Sequence, residues 1–518
     1  MISRAFAVLS ACALLASATR TAVARDDRKD PAMLVGATGV TVRPIISVGD
    51  TVHGYRFEAI PDGIAIDPRS NPNRVEIYVN HETSTVPFPY VLPNPDINNS
   101  RNDFDNAQLS HIVLKSNAKV KSGEFAIPSS ANYQRFCSNY LAIVEDGFED
   151  RPLLFTNEEA TDFVNREGQA WPPGPPFGTE TEQAGVVVAF DPATGEYRTI
   201  YGMGRYNHEN SVAIPGYGQA VILSDDDTFA APSSQLYLYL AADADAVWND
   251  EGSLFAFRSD IPTINDYGDL VDGLSVPGEF IPVPDEIADG DQTPLETWSN
   301  DNNVFQFIRL EDIAYDRNEP NVVYLADTGE PRAIPDPNTG RLMRGPSGTM
   351  GPYPNGRIFR LEMDPADPLQ VTSLSILVDA DLGGYNNPAV MHQPDNLETT
   401  ANSLLIQEDP GSHNQYPPSD PAGTTARIWL HDLATGTMTE VANVDQSLDP
   451  AALQGAWESS RIVDASQFYG PGAFLVDVQA HTLFVETAPG PDLIPPEGPD
   501  WLVKREGGQL LLITIPGA

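Results

Sequence analysis

The sequence predicts an all-β protein whose strands form a six-bladed β-propeller with long loop insertions. Turn-forming residues are frequent, with 46 Pro and 40 Gly among 518 residues. Long amphipathic helical patterns are hard to find, whereas short β-branched and aromatic runs are common. One unit also recurs six times along the chain: a polar cluster, a short strand, a turn, and an apolar strand that ends in acidic or amide residues.

Each unit has two sequence signatures, a polar cluster and an apolar strand. The polar clusters are PDGIAID (61–67), CSNYLAI (137–143), HENSVAI (208–214), LEDIAYD (310–316), QPDNLET (393–399) and WESSRIV (457–463). The apolar strands that follow are VEIYVNHE, PLLFTNEE, QAVILSDDD, NVVYLADTG, SLLIQEDP and AFLVDVQAH. On a propeller the ends of the inner strands meet at one mouth of a central channel, so these polar tips would converge.

Outer strands are predicted between the units, for example in GVVVAFDPATGEYRTI from residue 185, where alternating apolar residues meet Asp-Pro and Thr-Gly turns. The spacing of the units exceeds that of compact propeller repeats. We therefore expect insertions near residues 84–105, 165–180, 262–300 and 328–356. An irregular pair of β-sandwiches is the alternative fold.

The N-terminus has the pattern of a secretory signal peptide over residues 1–24, with a basic start, an apolar segment and an Ala-Val-Ala cleavage site. A lipoprotein box at residues 9–12 is a lesser alternative. The remaining residues 25–518 are expected to form a single propeller domain in the periplasm or outside the cell. No later segment has the length and apolarity of a membrane span, and nothing in the sequence indicates an oligomeric state.

The charge is strongly negative, with 73 acidic and 30 basic residues and a net charge of −43. Such a surface repels nucleic acids and anionic membranes, so neither is an expected partner. Either the acids provide solubility, or some converge and need divalent cations. After signal cleavage Cys137 is the single cysteine, which excludes an intramolecular disulfide and leaves it as a buried apolar residue or a metal ligand.

Convergent carboxylates and amides favour calcium, which binds six to eight oxygen ligands. The sequence has no compact His and Cys set of the kind that binds zinc. Two short phrases, NHETS at 80–84 and NHENS at 207–211, place His81 and His208 next to acids. Arg309 adjoins a polar cluster, and its guanidinium fork matches a phosphate group.

Several of these motifs, in this order over residues 55–485, resemble the PhoX-type alkaline phosphatases: NHE, TNEE after PLLF, GRYNHE, SDDD before LYLYL, RLEDIAYD before VYLAD, QPDNL before LLIQED, and FLVDVQAH. The resemblance implies a secreted six-bladed propeller with central calcium ions and an iron pair, which hydrolyses phosphate monoesters. In the family's TCEEN motif a thiolate binds iron, but Asn157 occupies that position here. The export signal also lacks twin arginines, so iron is the weaker of the two cofactor expectations.

The predicted function is therefore an exported, calcium-dependent hydrolase of a small phosphate ester. Predicted catalytic residues are Arg309, His81 and His208. Predicted metal ligands are Glu82, Glu158, Glu159, Glu209, Asp226, Glu311, Asp312, Asp395, Glu408 and Asp477. Two alternatives stay open: a non-catalytic calcium-stabilised propeller that binds an extracellular partner, and a hydrolase of another ester, such as a phosphodiester or a lactone.

Overall fold

The computed structural model describes residues 30–82, 107–149, 151–161, 163–164, 166, 182–228, 234–385, 387–409, 425–448, 455–486 and 503–518. For residues 481–486 and 503–506 it describes the backbone alone. The predicted signal peptide and the insertion near 84–105 lie outside these residues, as does all of the insertion near 165–180 except Arg166.

The described residues are mostly β-strand. The strands are β1 Leu34–Gly36, β2 Thr41–Ser47, β3 Thr51–Val52, β4 Tyr55–Arg56, β5 Pro61–Ile66, β6 Val75–His81, β7 Gln108–Leu114, β8 Val120–Ile127, β9 Phe136–Ala142, β10 Leu153–Glu158, β11 Phe163–Val164, β12 Glu182–Gln183, β13 Val187–Asp191, β14 Glu196–Ile200, β15 His208–Ala213, β16 Ala220–Asp226, β17 Leu236–Ala241, β18 Ser253–Ser259, β19 Ser275–Pro282, β20 Leu310–Tyr315, β21 Val322–Asp327, β22 Ala333–Pro335, β23 Leu342–Arg344, β24 Arg357–Asp364, β25 Asp367–Asp379, β26 Pro394–Thr399, β27 Ser403–Glu408, β28 Arg427–Asp432, β29 Met438–Val444, β30 Ile462–Asp464, β31 Ala473–Glu486 and β32 Val503–Thr514.

Helices are short and few within the described residues. The α-helices are α1 Ala244–Trp248, α2 Asp285–Ala288, α3 Gln292–Asp301 and α4 Ser466–Tyr469, and single 3-10 turns lie at Ser129–Ala131, Val144–Asp146, Tyr201–Met203, Asp381–Gly383 and Gln446–Leu448. None of these helices is long and apolar enough to cross a membrane.

The chain is all-β and has a propeller-like arrangement of antiparallel sheets. Four sheets have four or five strands, in the orders β5-β6-β7-β8, β9-β10-β13-β14, β26-β27-β28-β29-β1 and β30-β31-β32-β2. A nine-stranded sheet has the order β15-β16-β17-β18-β19-β25-β24-β21-β20. Three two-stranded ribbons, β3-β4, β11-β12 and β22-β23, complete the sheets of the described residues.

All six predicted strand pairs are present as neighbouring antiparallel strands: β5 with β6, β9 with β10, β15 with β16, β20 with β21, β26 with β27, and β30 with β31. The first strand of each pair lies at a sheet edge. These six inner strands pack against one another in a closed order, β5 to β9, β15, β20, β26, β30 and back to β5. They therefore surround a common central channel.

The continuous apolar runs follow from burial on both faces of a sheet. In β10, Leu153 and Phe155 pack into a cluster with Ile222 and Tyr239 of the next sheet along the chain. Leu154, which points to the opposite face, packs with Tyr78 of the preceding sheet. A strand buried on both faces reads as an uninterrupted apolar run rather than as an alternating one.

The N-terminal strands close the arrangement. β2 pairs with β32 in the sheet that holds β30 and β31, with Thr41 opposite Thr514. β1 pairs with β29 in the preceding sheet. The insertions predicted near 262–300 and 328–356 contain regular structure: the first holds β19, α2 and most of α3, and the second holds the ribbon β22-β23. They are thus not simple loops.

Candidate metal centre

A β-bulge near the start of five of the six inner strands positions the central side chains. In the first pair, Pro61 lies opposite His81, but the register has shifted by the time Ile64 lies opposite Val79. Equivalent shifts follow residues 136, 208, 310 and 394. A bulge puts an extra residue on one strand and redirects its side chain. In this chain the redirected positions carry acids and one cysteine.

The bulges define a set that we call the channel ring. Each of the first five members directly follows the first paired residue of its inner strand. The sixth, Glu458, pairs with Gln479 beside β30. The channel ring consists of Asp62, Cys137, Glu209, Glu311, Asp395 and Glu458. One residue from each inner strand, or its approach, thus faces the channel.

Contacts between neighbouring strands confirm that these side chains meet. Cys137 Sγ lies 2.9 Å from Asp62 Oδ2 and 3.0 Å from Glu209 Oε1, so its single S–H can donate to either carboxylate. Ser138 Oγ also donates to Glu209 Oε1, at 3.1 Å. The carboxyl of Glu458 hydrogen-bonds to Asp409. Side chains from the first three inner strands therefore touch at one point.

Two groups of potential metal ligands share one residue. Ligand atoms of Cys137, Glu159 and Glu209 lie within 4.8 Å of one another, and so do those of Glu209, Glu311 and Asp395. Since calcium–oxygen distances are about 2.3–2.6 Å, oxygens on opposite sides of one ion are about 5 Å apart. Both groups are therefore compact enough to surround a cation, and Glu209 could contact a cation in each.

A buried ion pair contacts Glu311, which belongs to the second ligand group. Arg309 donates from Nε and Nη2 to the two carboxylate oxygens of Asp227, each at 2.8 Å. Its Nη2 also lies 2.5 Å from Glu311 Oε1, and Thr328 Oγ1 donates to the same oxygen at 2.8 Å. The Nε–Nη2 edge of Arg309 is thus occupied by Asp227.

The acids at the centre have raised pKa values. Burial raises the pKa of Glu209 well above its ordinary range, and the carboxylates of Glu159 and Asp395 add to the effect. Burial, then the charge of Glu82, raises the pKa of Asp62 to about 7. Burial likewise raises the pKa of the Cys137 thiol, with the carboxylate of Asp62 acting in the same direction. A bound cation would reverse this trend, because it favours the ionised forms.

Some buried oxygens near the centre have no hydrogen-bond partner among the described residues. They are Asp62 Oδ1, Asn396 Oδ1 and Asp477 Oδ2. Buried polar atoms are normally paired, so these oxygens indicate missing partners. Carboxylate and amide oxygens are ligands that suit calcium, and the donor set of the channel ring therefore fits the cation expected from the sequence.

Three predicted metal ligands are saturated by protein groups. Glu158 accepts both terminal nitrogens of Arg166, at 2.8 and 2.7 Å, together with the backbone N–H groups of residues 134, 185 and 186. Glu408 accepts from Arg427 and from Trp429 Nε1. Both carboxylates are therefore held by hydrogen bonds to neighbouring protein groups.

Asp312 is the third predicted ligand whose carboxylate oxygens accept hydrogen bonds from protein groups. It accepts from Arg461, from Asn210 Nδ2, and from the backbone N–H groups of Leu397 and Ile313 at 2.6 and 2.7 Å. It thereby joins inner strands of the fourth and fifth units to the start of β30. These contacts connect the inner strands that form the channel wall.

The two predicted catalytic histidines are also structural. The ring nitrogens of His81 lie 2.9 Å from Glu58 O and 2.8 Å from Ser110 Oγ. Those of His208 lie 3.0 Å from Ser224 Oγ and 3.1 Å from Gly204 O. Burial lowers the pKa of each imidazole to about 3. Both rings are therefore neutral, and both nitrogens of each ring are within hydrogen-bond distance of a protein oxygen.

Six of the seven other predicted ligands lie in or beside the two ligand groups, and Asp226 has different neighbours. Glu159, Glu209, Glu311 and Asp395 come together in the two ligand groups. Glu82 and Asp477 adjoin them, since the charge of Glu82 raises the pKa of Asp62, and Asp62 in turn raises that of Asp477. Asp226 instead accepts from Thr228 Oγ1 at 2.6 Å and has Glu296 of α3 as a neighbour.

Asn157 does not face the ligand groups. Its Nδ2 donates to Ser138 O at 2.8 Å, and its Oδ1 accepts from Ser211 Oγ of the next inner strand at 2.7 Å. Asn157 lies opposite the bulge of β9, where it holds two inner strands together. The thiol at the centre comes from the bulge itself, at Cys137.

Sequence reasoning assigned no site role to Asp62, Asp227, Asp409 and Glu458, and it left the role of Cys137 open. Of the ten predicted ligands, six lie at the ends of the second strands, and four lie in the polar clusters: Glu209, Glu311, Asp312 and Asp395. All six residues of the channel ring are the second residue of a polar core: PDG, FCS, HEN, LED, PDN and WES. Aligning the six clusters on this position would have identified the ring.

Comparison with known proteins gives distant structural similarity. No protein-family profile matches the chain, and no curated protein does. Solved structures that resemble it include the NanB sialidase from Streptococcus pneumoniae, at 7% identity and a TM-score of 0.37, with 81% of this chain aligned to 65% of that one. The tricorn protease has 7% identity and a TM-score of 0.30, with 88% of this chain aligned to 34% of that one.

An acylaminoacyl peptidase has 10% identity and a TM-score of 0.25, with 80% of this chain aligned to 43% of that one. The chain thus spans less than two thirds of the length of each of these three proteins. At these values the comparisons assign no function.

Proposed function

We propose that this protein is an exported, metal-dependent phosphoester hydrolase whose active centre is the channel ring. The observation that carries the proposal is the position of Glu209, which belongs both to a carboxylate group and to a group that contains a thiol. A site with two adjacent cation positions is suited to the hydrolysis of phosphate esters. A small phosphate ester is the expected substrate.

We further infer that the architecture has six blades. The closed order of six inner strands supports this count. The nine-stranded sheet then corresponds to two blades, β15-β16-β17-β18 and β20-β21-β24-β25, joined along their outer edges through β19. One blade per channel-ring position gives the site its sixfold arrangement.

The donor types suggest which cations would bind. Glu209, Glu311 and Asp395 offer oxygen alone and suit calcium. Cys137, Glu159 and Glu209 include a sulfur ligand, which favours a softer metal such as iron. When bound, these cations would supply the positive charge that polarises a phosphate group and stabilises charge in the transition state.

The residues of the chain hold this arrangement in place. Arg309 and Thr328 both contact Glu311 Oε1, which fixes that carboxylate toward the channel. Ser138 fixes Glu209 in the same way from the bulge of β9. Because the ring is otherwise lined by acids, it would repel a phosphate ester in the absence of cations. Binding of the substrate should therefore depend on the metals.

The test is hydrolysis of p-nitrophenyl phosphate by the purified mature protein, together with elemental analysis. We expect turnover with bound calcium, loss of turnover in EGTA, and recovery when calcium is restored. Glu209→Gln should reduce the rate by about 100-fold or more, because both ligand groups lose one oxygen. Glu196→Gln, an exposed change on β14 with the same loss of charge, is the matched control.

The outcomes separate the alternatives. No turnover despite tightly bound calcium would contradict the hydrolase and leave a calcium-stabilised binding protein. Turnover of a phosphodiester or a lactone, without turnover of monoesters, would retain the centre and change the substrate. Calcium without a second metal would show that the thiol-containing group does not bind a cation.

A further inference from the structure

A hairpin remote from the channel ring carries an unusual concentration of lysine. It joins β7 to β8 in the sheet β5-β6-β7-β8. β7 begins at Gln108, opposite His81, and His81 lies opposite Pro61, the residue before Asp62 of the channel ring. The hairpin turn is therefore at the other end of this sheet. It holds three of the five lysines of a chain whose net charge is −43.

The backbone of the turn holds the three lysines close together. Lys115 N donates to Lys119 O at 2.9 Å, so these two residues lie opposite each other across the turn. Lys121 follows in a β-bulge, where the register shifts between Val113 and Leu114. Paired residues are about 5 Å apart, and residues two apart on a strand are about 7 Å apart. Three positive charges thus start from neighbouring points of the backbone.

The lysine side chains extend into solvent. Lys115, Lys119 and Lys121 are all exposed. Val120, which separates the last two, packs instead against the apolar cluster that Tyr469 also contacts. The hairpin is therefore anchored by its apolar residue, and its charges remain available to another molecule.

A fourth cation and a tyrosine hold the turn in place. Arg43 of β2 donates from Nη1 to Asn117 O at 2.6 Å. The hydroxyl of Tyr469 in α4 donates to Lys115 O at 3.4 Å. These contacts bring a guanidinium to the lysine hairpin. We call the four cations the basic patch: Arg43, Lys115, Lys119 and Lys121.

The basic patch lacks acidic neighbours along the chain. Residues 31–49, which include β2, and residues 107–123, which include the hairpin, contain no Asp or Glu. Within the part of the chain that the structure describes, none of the four cations forms an ion pair. The next acids, Asp50 and Glu124, contact Ser47 N and His111. Because like charges opposite each other destabilise a hairpin, the lysine pair gives the fold no advantage and indicates an anionic partner.

The charge around the patch favours a narrow partner. A flat anionic surface would also face the many acids of a chain with a net charge of −43. A single polymer chain can lie along the patch alone, since charges beyond about 8 Å are screened at physiological salt. A linear polyanion therefore fits better than a membrane.

The polar side chains of the hairpin favour a carbohydrate. Ser116, Asn117 and Ser122 are exposed beside the lysines, and their hydroxyl and amide groups suit sugar hydroxyls. The ring of Tyr469 packs against the apolar cluster, whereas single-stranded nucleic acids are bound by aromatic rings on which bases stack.

We propose that the basic patch binds a linear anionic polysaccharide, whose carboxylate or sulfate groups pair with the four cations. The bound polymer lies at the end of the sheet remote from the channel ring and leaves the ring uncovered. This binding uses none of the channel-ring side chains, so it does not depend on the proposed hydrolase activity.

The first experiment compares three polymers with the same backbone: dextran, carboxymethyl dextran and dextran sulfate. Fluorescence anisotropy of the labelled polymers, titrated with the mature protein, should give a Kd on the order of 0.1 mM for both charged forms. Neutral dextran should bind at least about tenfold more weakly. Affinity should be highest near about 0.1 M salt: the net charge acts over about 30 Å at 0.01 M, and the patch itself is screened at 1 M.

A double substitution tests the location. Lys119→Gln with Lys121→Gln changes only exposed side chains, so the fold should be kept. It should weaken binding of dextran sulfate by about tenfold or more, as loss of two ion pairs implies. Asn402→Asp with Ala193→Glu, in exposed turns of other sheets, lowers the net charge by the same amount and should leave the Kd within about twofold.

Four results would overturn the proposal. The first is no binding of either charged dextran, and the second is equal binding of neutral dextran. The third is tighter binding of poly-L-glutamate, single-stranded DNA or phosphatidylglycerol vesicles, which would assign the patch to a different partner. The fourth is an equal loss of affinity in the control variant, which would show that net charge, and not the basic patch, governs binding.

Discussion

Cys137 Sγ lies 3.0 Å from Glu209 Oε1, so side chains from two neighbouring inner strands meet in the channel. This contact makes the thiol part of the candidate metal centre. Cys137 is therefore the candidate thiolate for the proposed softer metal, whereas Asn157 occupies the cysteine position of the motif that the sequence resembles.

Cys137→Ser should remove the softer metal and leave calcium bound, because Glu209, Glu311 and Asp395 remain. Elemental analysis of the purified variant would measure both metals. Ser138→Ala is the matched control, since it removes a hydroxyl contact to Glu209 from the same bulge but keeps the thiol. An unchanged content of transition metal in Cys137→Ser would show that the thiol binds no metal.

Asn157→Cys restores the cysteine found in the related motif, yet it should not add a metal. Position 157 lies opposite the bulge, where its amide bonds to Ser138 O and Ser211 Oγ. Leaving these buried groups without partners should reduce the free energy of unfolding by about 1–3 kcal/mol. Urea unfolding and elemental analysis would test both statements, with the exposed change Asn402→Cys as control. A gain of metal in Asn157→Cys would contradict this role.

Glu408→Gln should destabilise the fold without a direct effect on metal binding. The carboxylate of Glu408 accepts from Arg427 and Trp429, and all three residues are buried. Removing the negative charge leaves Arg427 uncompensated, which typically costs about 3–5 kcal/mol. The free energy of urea unfolding measures this loss, and the exposed substitution Asp464→Asn should change it little. A variant of normal stability that lost calcium would instead make Glu408 a ligand.

Asp146 should make stability fall as pH rises from about 4 to 6. Burial raises its pKa from 3.8 to about 6 in the folded protein. Between these values the folded state binds more protons than the unfolded state, so the free energy of unfolding decreases with pH. A shift of about two units corresponds to about 3 kcal/mol. Asp146→Asn should remove this part of the slope.

Urea unfolding of both proteins between pH 4 and 7 would measure the slope for Asp146→Asn. Asp464→Asn, an exposed change at the end of β30, provides the control. Parallel stability curves for wild type and Asp146→Asn would show that the carboxyl titrates normally in the folded state.

The strand pairs were predictable from the sequence because each pairs a short polar-headed strand with an apolar strand that is buried on both faces. The choice of ligands was less predictable. Glu158 and Glu408 occupy the strand ends that suggested metal binding, but each is paired with an arginine further along the chain, Arg166 and Arg427 respectively. Sequence alone does not reveal which buried acid has acquired such a partner.

The bulges also explain why Asp62 and Cys137 were not recognised as neighbours. In a regular ladder, side chains alternate between two faces, and the pattern gives no direction toward the channel. The extra residue in five of the six inner strands, including those of Asp62 and Cys137, turns one side chain out of that alternation. Such a shift in register leaves no sign in hydrophobic periodicity.

Because of the bulges, the residues that line the channel differ from the residues whose ion pairs stabilise the blades. Contacts such as Glu158 with Arg166 and Glu408 with Arg427 hold the sheets together, whereas the ring residues project from them. Each residue of the channel ring can consequently be substituted individually while the sheets that carry it stay the same. A combinatorial library confined to these six positions would sample oxygen, nitrogen and sulfur donors, and each member would report the metal preference of one donor set.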